Sequence, residues 1–197
     1  DLMSKASELN KRRQKAKTSF EKEVTSVIHQ LAMPYAVFEI KIENVKELNV
    51  NGTDTVTFMF SANKGYAPEN MAKAASGGEL SRLMLAIKSV AAKNNYIPTL
   101  IFDEIDTGVS GEVASKLGDI MNEMGNTLQL VSITHLPQIA SKAKHHFFVY
   151  KTVVDDKTRS NIKTLTHDER GNEIAKMLSN AEVTDEAIKA AEVLLGN

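Results

Sequence analysis

A short apolar run, residues 99–102 (TLIF), leads straight into two adjacent carboxylates, Asp103 and Glu104. A run of this length suits a strand buried on both faces. Helical patterns flank it. Residues 76–95 carry an apolar stripe at Leu80, Leu83, Met84, Ile87, Val90 and Ala91, and residues 111–124 read as a second helix. Residues 129–133 (QLVSI) form the next buried strand. Strand, helix and strand in alternation predict an α/β domain with a mainly parallel sheet flanked by helices. Acids directly after such a strand stand at its carboxyl end, where open α/β sheets place their ligands.

The remaining segments fit around that frame. The first thirty residues predict a helix, with apolar or small residues at Leu2, Ala6, Leu9, Ala16, Phe20, Val24, Val27 and Leu31 and one gap at Arg13. That spacing is a coiled-coil seam or an amphipathic stripe. The same stretch holds seven Lys/Arg against four Asp/Glu, with a basic cluster at residues 11–17 (KRRQKAK). Solvated helix surface is the better reading of that cluster, ahead of a DNA contact. Pro34 ends the helix. Strand-like runs at residues 36–42 and 55–60 flank a turn at Asn51-Gly52. Residues 61–75 read as loop. Residues 146–151 and 161–166 predict an edge hairpin around the polar residues 155–157, and helices over 169–178 and 184–195 close the chain, the second capped by Thr184.

Three elements carry chemistry. Ser76 and Glu79 have the spacing of a capping box before an apolar-periodic helix, which by itself predicts only a well-capped helix. Gly77 and Gly78 between them allow a phosphate to approach the backbone N–H groups at the helix N-terminus, with the Ser76 hydroxyl as a further donor. Asp103 and Glu104 point to opposite sides of an extended chain and can therefore take different tasks. Asp103 suits Mg²⁺, held through water, and Glu104 suits a general base for an attacking water. Asp106, with Gly108, Ser110 and Gly111, forms a tight polar loop that can contact a second protomer. His135 follows the next strand and stands along the same sheet edge as the acids. No His/Cys/Asp set has zinc-like spacing.

Composition narrows the alternatives. A formal net charge of −1 gives no global attraction to nucleic acid. The chain has no cysteine, which excludes disulfides and thiolate metal sites and suits a reducing cytosol. No apolar run approaches the ~18 residues of a membrane span. The G-x-x-x-x-G-K-[ST] phosphate loop is also missing: none of the ten glycines precedes lysine, and the nearest pair is the inverted Lys64-Gly65. The opening at Asp1 fits an excised segment.

Together the stretches KAASGGELSR, IFDEIDTGVSG and THLPQIAS resemble the ABC-type ATPases, in the SMC-like branch whose head is interrupted by a coiled coil. The likeness runs from the first helix to the C-terminus. It implies that residues 76–79 are the signature motif, residues 100–104 the Walker B strand, Asp106 the D-loop and His135 the switch histidine. It also implies the C-terminal half of a P-loop ATPase head, with residues 1–31 the end of a coiled-coil arm and residues 32–197 the head lobe. The N-terminal half, with Walker A and the Q-loop, would lie elsewhere. ATP and Mg²⁺ are the implied cofactors. The implied partners are a second head, the absent half-head and DNA, in a bacterial cytoplasm at the nucleoid. The implied activity is ATP hydrolysis in double-strand break repair and recombination, with a structural tether of little turnover as the competing reading.

Overall fold

The computed structural model describes residues 1–74, 77–94, 97–179 and 183–196. The chain divides into two compact units: residues 1–99 with 105–109, and residues 100–104 with 110–197.

The first unit is built on a long helix and a hairpin. Helix α1 (Leu2–Gln30) starts where the Asp1 carboxylate accepts from the Ser4 N–H at 3.1 Å. Strands β1 (Val37–Asn49) and β2 (Gly52–Ser61) pair antiparallel, with Phe38 opposite Phe60 and Ile40 opposite Phe58. Both strands exceed their predicted lengths. A register shift between Asn44 and Asn49 interrupts the ladder near the tip, where Gly52 sits at φ +91°. Residues 61–75, read as loop, hold a two-residue strand β3 (Glu69–Asn70) on β2 and a short helix α2 (Met71–Ala74). Helix α3 (Gly77–Asn94) brings Leu83, Ala86, Ile87 and Val90 to a core shared with Val24, Ile28, Phe38, Ile40 and Phe60. Leu85, Ser89 and Ala92 are buried as well, so α3 is covered over a wider arc than its predicted stripe. Phe38 stacks edge-on to Phe58 with centroids 5.4 Å apart, which adds geometric selectivity to area burial.

The stripe on α1 holds only in part. Ala6, Val24 and Leu31 are buried as expected, and Ile28, outside the predicted stripe, is buried as well, but Leu2, Leu9 and, in the middle of the helix, Ala16 are exposed. The inward position there belongs to Arg13, the apparent gap. Its Nη1 donates to Asp54 Oδ2 at 3.0 Å and to the Asn51 carbonyl at 2.9 Å. Asn10 donates to the other Asp54 oxygen at 2.7 Å, and the Asp54 side chain is fully buried. A buried carboxylate matched this way fixes register more than it adds stability. Arg12 pairs with Glu8 and Lys17 with Glu21, which leaves the basic cluster partly neutralised.

The second unit begins in strand β4 (Thr99–Asp103), followed by α4 (Gly111–Met124) and β5 (Gln129–Ile133). The strands β4 and β5 are neighbours, and their carboxyl ends meet: the Glu104 N–H donates to the Ile133 carbonyl at 3.2 Å. This is the arrangement of a parallel pair joined through a crossover helix. Among the described residues the parallel character is limited to this pair, because β1–β2–β3 and the hairpin of β6 (Phe147–Val154) and β7 (Lys157–Thr164) pair antiparallel. The hairpin turns on Asp155 and Asp156, both at positive φ, in a two-residue turn of the type that matches strand twist. Burial on both faces does not hold for β4: Phe102 is 7% exposed but Ile101 is 63% exposed. Val131 and Ile133 of β5 are open on the same alternation, so one face of the pair is uncovered.

Helices α5 (Pro137–Ala140), α6 (His167–Ser179) and α7 (Asp185–Leu195) complete this unit, with Ile174, Ala175, Ala191 and Ala140 in one small core. Thr184 caps α7 as predicted, accepting from the Ala187 N–H at 3.2 Å. Helix α6 starts two residues before its predicted position because Thr166 and Glu169 form a reciprocal capping box. The Glu169 carboxylate accepts from the Thr166 N–H at 2.9 Å, and Thr166 Oγ1 accepts from the Glu169 N–H at 3.4 Å. With Lys163 also donating to it, the Glu169 carboxyl is pulled down to about 2.

Candidate functional site

The site residues fall into two sets, one in each unit. In the second unit, β4 delivers the two acids. Asp103 is the last strand residue, on the same alternation as Ile101, and is exposed. At Glu104 the chain leaves the strand through a left-handed conformation, φ +48°. A non-glycine residue there is strained by ~1–2 kcal/mol, and such strain gathers at functional positions. The bond from Glu104 N–H to the Ile133 carbonyl holds the bend. Two residues beyond Ile133, on the same sheet edge, stands the exposed His135. Its turn is set by Thr134, whose Oγ1 accepts from the Leu136 N–H at 3.0 Å. Asp103, Glu104 and His135 are thus brought to one edge, as the βαβ reading predicted.

In the first unit, Gly77, Gly78 and Glu79 form the first turn of α3. Ser76, and with it the predicted capping box, lies outside the described residues. The two glycines have different surroundings. A Cβ on Gly78 would lie 3.3 Å from the Thr107 carbonyl oxygen, so that glycine lets the loop at residues 106–109 approach α3. A Cβ on Gly77 would meet nothing within 4 Å among the described residues. Asp106 is 1% exposed, between the buried Ile105 and Val109, and its carbonyl accepts from the Val109 N–H at 3.0 Å. The sequence places it in a tight polar loop, and in the structure it is the buried anchor of that loop. The reason is its neighbours, whose apolar side chains draw the turn inward.

Among the described residues no group of three or more His, Cys, Asp or Glu is arranged to hold a metal ion. The donor set suits Mg²⁺, which takes one or two carboxylates and completes its shell with water and phosphate oxygens. No described helix is long and apolar enough to cross a membrane.

Sequence reasoning missed Arg170, whose guanidinium reaches the end of α5 in the second unit. Its Nη2 donates to the carbonyls of Ala140 at 3.3 Å, Ser141 at 2.6 Å and Ala143. The preceding Thr166–Glu169 spacing is the sequence signal that fixes its place in α6. Burial pushes the Arg170 guanidinium below its ordinary pKa. Burial, then the nearby Arg170 charge, also lower His146, against an opposing pull from Glu173.

These features can be set beside known proteins. No protein-family model matches the chain. The DNA repair protein RecN of Haemophilus influenzae is 38% identical over 195 residues, covering 98% of this chain. RecN of Rickettsia felis is 41% identical over 190 residues, and RecN of Bacillus subtilis 41% over 149. The chain belongs to the RecN family. It spans 35% of the length of the first two of these RecN proteins and 26% of the third. Among solved structures, the Smc head domain of Pyrococcus yayanosii, with its coiled coil and joint, superposes with a TM-score of 0.62 at 18% identity. That match covers 81% of this chain and 29% of the other. A structure from work on ATP-driven dimerization and DNA-stimulated activation of SMC ATPases gives 0.59 at 16% identity, over 88% of this chain and 99% of the other. The fold of this RecN segment is therefore that of part of an ABC/SMC-type ATPase head, α/β with a helix at its N-terminus.

Proposed function

We propose that this RecN segment works within an SMC-like ATPase acting in DNA double-strand break repair and recombination, in which ATP pairs two heads and hydrolysis releases them. The observation that carries this reading is the strained Glu104 at the end of β4, tied to β5 whose end bears His135. Glu104 takes the role of general base and orients the attacking water. His135 at the same edge would hydrogen-bond the reacting phosphate. Asp103 would hold Mg²⁺, which would supply charge neutralisation to the phosphates. Ser76, Gly77, Gly78 and Glu79, with Asp106 anchoring the neighbouring loop, meet the nucleotide held on a second head. Rate enhancement then comes from positioning and electrostatics.

In this reading residues 1–31 are the end of a coiled-coil arm and residues 32–197 the C-terminal lobe of the head. The N-terminal half of the head, which would supply the Walker A loop, covers the open face at Ile101, Val131 and Ile133. It also fills the cavity of about 730 Å³ bordered by β5 and the start of β6. DNA, the second head and a place at the bacterial nucleoid belong to the whole protein. The segment alone then turns over no ATP.

The test is Glu104→Gln in the whole protein. ATP-dependent pairing of heads, read by light scattering or crosslinking, is expected to persist while hydrolysis falls by at least ~100-fold. Unchanged turnover would remove Glu104 as the base.

A further inference from the structure

Helix α5 begins two residues after His135 and is a single turn long, too short to hold its own direction. It is fixed from two sides within the second unit. On one side Gly118 of α4 lies against it: a Cβ there would fall 3.0 Å from the Gln138 carbonyl oxygen and 3.4 Å from Ile139 Cα. On the other side Arg170 of α6 gathers the carbonyls of Ala140, Ser141 and Ala143. Ala140 is the last residue of α5, Ser141 is its C-cap, and Ala143 lies two residues further along the chain that leaves it.

Helix α6 is a firm base for that contact. The capping box of Thr166 and Glu169 closes its first turn just before Arg170. One turn later Ile174 and Ala175, both fully buried, pack in the same core as Ala140. All three contacts are made by one nitrogen, Nη2, held at the end of a rigid planar group; a lysine ammonium sits one bond closer to its backbone on a flexible stem and does not reach the same point.

We propose that Arg170 is a positioning residue for His135: by gathering the three carbonyls it fixes α5, and with α5 the turn on which His135 stands. The inference rests on the reading that His135 serves turnover. Arg170 acts through five residues of backbone, from Ala140 back to His135.

The experiment uses the whole RecN-family protein carrying Arg170→Lys or Arg170→Ala, alone and with His135→Ala. For Arg170→Lys, kcat for ATP is expected to fall about tenfold with KM changed less than about twofold, the pattern of a displaced group acting after binding. Added guanidinium restores part of the turnover of Arg170→Ala. With His135→Ala already present, Arg170→Lys lowers kcat by less than about twofold, because the two residues act as one unit. Normal turnover in Arg170→Lys beside an impaired His135→Ala overturns the positioning role alone. Equal losses with and without His135 do the same. Normal turnover in His135→Ala instead refutes the role of His135, and the inference goes with it. Thermal unfolding is followed in parallel, and if even Arg170→Lys unfolds the protein at the assay temperature, Arg170 is a brace of the whole fold and the proposal is wrong.

Discussion

On the β1–β2 hairpin, Phe38 and Phe60 stand opposite one another and are 2% and 0% exposed, covered by α1 and α3. On the β4–β5 pair, Ile101 and Ile133 are 63% and 53% exposed. Both sheets carry strand-forming apolar residues on one alternation. What differs is the cover. The polar groups lean the same way. In the first unit the buried Asp54 is matched by Arg13 and Asn10, while Arg82 Nε is buried and finds no hydrogen-bond partner among the described residues. In the second, Ser132 Oγ, His146 Nδ1 and Arg170 Nε are buried and find none among the described residues. A covered sheet whose polar groups are mostly matched and an uncovered one with more unmatched groups are the expected states of a more and a less complete core.

The largest effect should come from the more complete side. Phe60→Ala removes a fully buried ring and is expected to cost ~3–5 kcal/mol, measured by urea unfolding followed by far-UV circular dichroism. A cost no greater than that of truncating Ile101 breaks the comparison. Next comes Asp54→Ala, expected to cost ~2–4 kcal/mol because Arg13 and Asn10 lose their common acceptor. Replacing the pair together, Arg13→Met with Asp54→Leu, should recover most of that loss. If the double replacement costs as much as the single one, the carboxylate does more than complete the packing of α1 on the hairpin.

Arg13 also shows how far the sequence could be read. The apolar stripe on α1 predicted a helix and its inward face at Ala6, Val24 and Leu31, all buried. At Arg13 the periodicity broke, and only the hairpin's Asp54, 41 residues away, explains the break. Local spacing cannot show a partner so distant. The β4–β5 pair failed in the opposite way. Its apolar residues were correctly grouped as strand residues, but what covers a strand is a property of other elements, and Ile101 is open. The site was legible where chemistry follows strand order: Asp103, Glu104 and His135 do share one edge. The left-handed bend at Glu104 was not legible, since glutamate carries no preference for positive φ. Arg170 was hidden because its acceptors are backbone carbonyls, which no residue type announces.

A smaller effect sharpens the polar half of the contrast. His146 has its pKa lowered from 6.5 by burial and by Arg170. Well above pH 6.5 it is neutral folded or unfolded. Below that, the unfolded chain takes up the proton more readily than the folded one, so stability should fall as pH drops from 6.5. His146→Gln should flatten that fall, measured as the midpoint of urea unfolding between pH 7 and pH 5. An identical pH slope in the variant would mean that His146 is solvated in the folded chain, and the unmatched side of the comparison would lose that member.

The smallest expected effect is the most direct test of the uncovered face. Ile101→Thr keeps a β-branched residue suited to a strand while removing apolar surface. Because Ile101 is 63% exposed, the change should alter the stability of this chain by less than ~0.5 kcal/mol. If the rest of the head covers that face, the same substitution in the whole protein buries an ill-fitting hydroxyl and should cost ~1–3 kcal/mol. The informative quantity is the difference between the two measurements, since intrinsic strand preference is common to both and cancels. Equal small costs would mean that the face stays open in the whole protein. The contrast between the two sheets would then belong to the folded protein itself, and not to the part of it that this chain contains.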